Sequence, residues 1–135
     1  MNKIFQLLKN YKFTILLLGI IFFLSLSEVQ NINKPNFFKF EGSDKVAHFL
    51  MYAFLTFIYL LERTKFFKMK IKNARWYHTL WIVFIGAFIE ILQPELANRE
   101  KDFWDFAANT LGIALTYMLF CLMRKYYNFN KISSS

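Results

Sequence analysis

Nine polar residues carry the chemistry open to this chain: Asp44, Lys45 and His48, then Glu90 and Gln93, then Arg99, Asp102, Asp105 and Asn109. A carboxyl in a dry setting acts as an acid or base, and Glu90 and His48 are the candidates for that role. Lys45 and Arg99, with the positive ends of helices, can hold an anionic head such as a phosphate. The acids and the single nearby imidazole can also coordinate a divalent cation, but their spacing matches no specific metal site, so no metal or other cofactor is assigned. There is no Gly-x-Ser-x-Gly nucleophile motif, no Gly-rich phosphate loop and no Cys/His zinc spacing.

These residues sit at or near the ends of three of the chain's four apolar blocks. Apolar residues make up 56% of the 135-residue chain and charged ones only 19%, a balance wrong for a small soluble domain. The blocks predict an all-α integral membrane bundle of four transmembrane helices, at about 5–27, 44–61, 76–93 and 103–123, forming one domain over 1–135. The first uncharged run, Phe13–Ser27, is short for a span and extends backward only if Lys9 and Lys12 snorkel. A basic start followed by Ser25-Leu26-Ser27 also fits a cleaved signal peptide, and that alternative stays open. Ser43 is placed to cap the second helix, and Pro94 is expected to stop the third. Cys121 lies within the last block and reads as a small buried hydrophobe.

Charge orients the bundle. The net charge is +8, yet the basic residues crowd block ends rather than forming a nucleic-acid-binding face. The N-terminus, the 62–75 connection and the C-terminus together hold twelve Lys and Arg, against five in the other two connections. The richer set belongs in the cytoplasm, so both termini are predicted inside. With that topology Glu62 is the only cytoplasmic acid. The other eight (Glu28, Glu41, Asp44, Glu90, Glu95, Glu100, Asp102, Asp105) lie in or near the outer half.

On a helix turning about 100° per residue, Asp102, Asp105, Asn109 and Gly112 fall in one stripe roughly 80° wide. Polar groups entering a membrane on one face meet an interior rather than lipid. His48 shares a face with Lys45, with Tyr52 and Thr56 continuing inward. Glu90 lies about 6 Å inside Pro94 by the rise per residue. The sequence therefore predicts a polar cup opening outward between the last three helices, with Gly86 and Gly112 allowing close approach beneath it. Structural readings stand beside this one. Glu90 can form an ion pair with Arg99 or Lys45, Asp102 and Asp105 can form a capping box, and Asn109 can bridge helices. His78 lies on the opposite side and only decorates the interface.

Three signatures in this order, Ser43-Asp44-Lys45-x-x-His48, Glu90-x-x-Gln93 and Arg99-x-x-Asp102-x-x-Asp105-x-x-x-Asn109-x-x-Gly112, resemble the VanZ-like family of bacterial membrane proteins over residues 43–120. The resemblance implies a multi-pass protein of the bacterial cytoplasmic membrane and a link to low-level resistance to the lipoglycopeptide teicoplanin. It implies no reaction. The function expected is therefore a cell-envelope protein whose cup binds a membrane lipid, a lipid-linked envelope precursor or a lipoglycopeptide. The alternative is a small intramembrane enzyme acting on a lipid-linked phosphate or ester, with Glu90 or His48 as acid/base, Arg99 as anion clamp and a metal between Asp102 and Asp105. An ion-coupled transporter fits less well, because the inner helix halves carry almost no polar residues to continue a path. Oligomeric state is left open.

Overall fold

The structure, a computed structural model, describes residues 2–26, 42–64, 75–96 and 102–133, with side chains as far as Tyr126. It is all-α: α1 (Lys3–Asn10), α2 (Lys12–Leu26), α3 (Ser43–Thr64), a 3₁₀ turn (Trp76–Thr79) leading into α4 (Leu80–Leu96), and α5 (Phe103–Ser133). Among the described residues, three segments are long and apolar enough to cross a membrane: Ser43–Thr64, Trp76–Leu96 and Phe103–Tyr126. Large apolar side chains cover the outside, with Phe84 70% and Leu111 63% exposed. An apolar exterior over a buried polar centre is what lipid, rather than water, selects as surroundings.

The first expected span is not one helix. The chain breaks at Tyr11, and α1 and α2 meet at 76°. Glu62 explains the break. Its carboxylate accepts hydrogen bonds from the backbone N–H of Phe13 (2.9 Å) and Thr14 (3.0 Å) and from the Thr14 hydroxyl (2.6 Å). These are N–H groups a helix start leaves open, and a carboxylate also suits the positive helix end. The helix is thus restarted at Lys12 by an acid on α3. No α1 residue is buried, and Ile4, Phe5, Leu7 and Leu8 are all exposed. Alone, α2 has 15 residues, about 22 Å at 1.5 Å each.

Other boundaries shift for local reasons. Gly42, at φ +88°, turns the chain into α3, so Ser43 is the first helical residue rather than the cap ahead of it. That helix runs three residues past the expected end at Leu61, to Thr64. Pro94 does not stop α4, which continues to Leu96. Proline forfeits one N–H bond, and this close to a helix end little remains for it to disrupt. The last helix continues through the polar residues after Met123 to Ser133, since no Pro or Gly interrupts it.

The four longer helices form a closed square. In order around it stand α2, α3, α5 and α4, with α3 and α5 the most extensive pairing. Contacts fix the directions. The start of α2 meets the end of α3 through Glu62, and Ser25 near the end of α2 meets Gln93 near the end of α4. Arg63 at the end of α3 meets His78 at the entry to α4, and Lys45 at the start of α3 meets Asp102 at the start of α5. So α2 and α4 run one way and α3 and α5 the other. Gly112 allows the parallel pair to touch, since a Cβ there would overlap the Phe49 carbonyl oxygen. Tyr52 fills the diagonal between α3 and α4, its ring lying on Gly86.

Candidate polar site

At one end of the square the polar residues converge. Asp102 caps α5, its carboxylate accepting from the Trp104 N–H at 2.8 Å. Its second oxygen takes the Lys45 ammonium at 2.7 Å. This pair forms a half-exposed rim, with side chains 41% and 36% accessible. The Lys45 hydrogen bond, then the Trp104 N–H, hold the Asp102 carboxyl below its ordinary range. The pair therefore stays ionised throughout neutral pH. Asp105 does not return toward Asp102 as a capping box would require. It turns inward instead, with Oδ1 3.7 Å from Lys45 and Oδ2 3.7 Å from His48 Nε2.

Beneath the rim lies a buried cluster drawn from three helices. His48 comes from α3, Glu90 from α4, and Asp105 and Asn109 from α5; each is more than nine-tenths buried. His48 Nδ1 is 3.1 Å from Asn109 Oδ1 and 3.5 Å from Glu90 Oε1. The Asn109 amide N–H donates to the same Glu90 oxygen at 3.2 Å. The helical stripe predicted from Asp102 to Gly112 thus faces an interior, and Asn109 bridges helices while joining the two titratable groups. The square arrangement explains how. His48 and Glu90 sit on diagonal helices, so their side chains meet on the bundle axis, with Tyr52 one turn below His48 closing the floor.

Gln93 and Asp44 fall outside this cluster. Gln93, though buried, donates to the Ser25 carbonyl at 3.2 Å and ties α4 to α2. Asp44 is exposed at the start of α3, near enough to act electrostatically on Lys45. Arg99 lies outside the described residues. Thr56 returns its hydroxyl to the Tyr52 carbonyl and does not extend the cup. Lys45 meets Asp102 and Asp105, so of the two ion pairs expected for Glu90 the one with Lys45 does not form, while the one with Arg99 lies outside the described residues.

Sequence reasoning missed Glu62 as a helix cap. A lone acid in a strongly basic connection was the available signal, and it spoke only of charge. At that same end Arg63 donates to His78 Nε2 at 2.9 Å, and Tyr59 stacks on Tyr11 and packs edge-on to Trp81.

The arrangement can hold, exchange or neutralise a cation or proton on the bundle axis. It suits an anion less well, because the described acids outnumber the bases. Among curated proteins and among solved structures the chain has no match. Residues 5–124, which include α2, α3, α4 and α5 as far as Arg124, match the VanZ/LLP1 family, and the chain belongs to that family.

Proposed function

We propose that this is a four-span protein of the bacterial cytoplasmic membrane, with both termini inside. Its cup opens outward and receives the polar head of a lipid or lipid-linked envelope molecule. By doing so it would alter envelope composition or drug access and lower susceptibility to lipoglycopeptides. One observation carries the reading: His48, Glu90, Asp105 and Asn109, from three helices, are buried together in a chain whose exterior is apolar. Burying such groups costs several kcal/mol each unless they are paired, and simple helix adhesion needs only one or two of them. The up-and-down square supports the topology, because it puts the described Lys12, Arg63 and Arg75 at the end away from the cup. In this reading α2, with the α1 elbow at the inner interface, is the fourth span.

Native mass spectrometry of protein extracted with its membrane lipids tests this. One lipid class should co-purify with the wild type and be lost from Glu90→Gln. Equal lipid retention by both, or none by either, would sink the headgroup reading. A specific observation favours catalysis as a second reading. His48 has one ring nitrogen toward Asn109 and Glu90 and the other toward Asp105, which is how a proton-transfer group is held. Turnover of the retained lipid, abolished by His48→Gln, would decide for it.

A further inference from the structure

The direction of the hydrogen bonds in the cluster fixes where its protons are. Asn109 donates through Nδ2 to Glu90, so its Oδ1 is the acceptor facing His48. His48 Nδ1 must then carry the hydrogen of that 3.1 Å bond. In a neutral imidazole this leaves the Nε2 lone pair facing the Asp105 carboxylate at 3.7 Å. Two acceptors at that separation repel unless something positive lies between them. A cation between them turns that repulsion into two coordinate bonds.

We propose that His48 Nε2, Glu90 and Asp105 bind one divalent cation of the borderline class, such as zinc or cobalt. One imidazole nitrogen and two carboxylate oxygens form the donor set of such ions, with no thiolate to select a softer one. One ligand atom from each of the three residues lies within 4.8 Å of the others, so a contraction of an ångström or so closes the site. Asn109 holds the imidazole by its other nitrogen, as the partners of metal-bound histidines generally do. Three protein ligands leave a coordination position open, and a cation there would give the acid-rich cup a positive centre for a phosphate or carboxylate. The inference rests on the cluster alone and stands or falls independently of the lipid reading.

The test uses the full chain in detergent, stripped with chelator and reloaded with Zn²⁺ or Co²⁺. The wild type should take up one equivalent by elemental analysis, and its Co²⁺ form should show visible d–d bands displaced by Zn²⁺. His48→Ala, Glu90→Gln and Asp105→Asn should each lose binding, while Asn109→Ala should weaken it about 10–100-fold. His78→Ala, altering the only other histidine, should bind as the wild type does. Wild type that takes up no metal overturns the proposal, as does Glu90→Gln or Asp105→Asn binding undiminished. Should the cluster variants fail to fold, the Co²⁺ spectrum of the wild type and of His78→Ala decides it: bands absent from the first, or lost from the second, refute the site.

Discussion

Three glycines in the bundle form a graded experiment on helix contact. Gly112 on α5 faces backbone, and an added methyl would overlap the Phe49 carbonyl oxygen, with the Ala53 nitrogen at 3.2 Å. Gly86 on α4 faces the Tyr52 ring, whose nearest atom would be 3.1 Å away. Gly19 on α2 has nothing within 4 Å. Replacing a helical glycine by alanine gains about 1 kcal/mol of helix propensity at each site, so that gain cancels when the variants are compared. What remains is the cost of the contact. At Gly112 a backbone must move, and overpacking of this kind costs about 1–3 kcal/mol. For a chain this size that is a gap of about 4–12 °C in melting temperature between Gly19→Ala and Gly112→Ala. Gly19→Ala should match or exceed the wild type. Gly86→Ala should fall between the two, because a ring can tilt where a peptide cannot. Circular-dichroism melts of the three variants and the wild type in one detergent measure this. Should Gly112→Ala melt as high as Gly19→Ala, the close α3–α5 crossing would be wrong, and with it the placement of His48 beside Asn109.

Other perturbations test the remaining joints. Glu62→Ala removes three hydrogen bonds from the start of α2 and should cost about 1–2 kcal/mol. Hydrogen exchange should then quicken at residues 13–16 while α5 is unchanged; uniform protection would refute the cap. Asn109→Leu leaves His48 and Glu90 without their buried bridge and should destabilise the protein by about 1–3 kcal/mol. A melt unchanged from the wild type would refute the bridge. Asp102 has its carboxyl lowered from an ordinary value of 3.8. The stability it confers is therefore complete above that value and is lost only as pH falls through the lowered one. An Asp102→Asn variant should thus differ from the wild type by a constant amount from pH 5 to 8, and a gap that opens or closes in that window would contradict the pairing. If α2 crosses the membrane, a cysteine at Leu26 in a Cys121→Ser background reacts with an impermeant maleimide from the side opposite to one at Asn10. Labelling of both from one side would make α2 a re-entrant segment.

The spacing of Asp102, Asp105, Asn109 and Gly112 makes the polar face of α5 legible from the sequence, because a period of 3.6 and the cost of polar groups in lipid leave one way for that face to point. The same cost made Glu90 legible as a residue needing company, though not which company. That choice depends on the square. With α3 and α4 on a diagonal, His48 and Glu90 meet on the axis, while Gln93, only three residues from Glu90, turns to α2. Helical periodicity cannot separate these two, since residues three apart share a face and differ only in the neighbour they reach. The break at Tyr11 was beyond reach for a similar reason. It depends on Glu62, some fifty residues away in sequence, and a local reading of residues 1–27 contains nothing that would end a helix there. Both failures are tertiary, and both turn on acids. Where lipid is the solvent, the position of a carboxylate is set by which partner can satisfy it. The acid's partner therefore decides the local structure: Glu62 starts a helix, Asp102 caps one, and Glu90 and Asp105 draw three helices around a single imidazole.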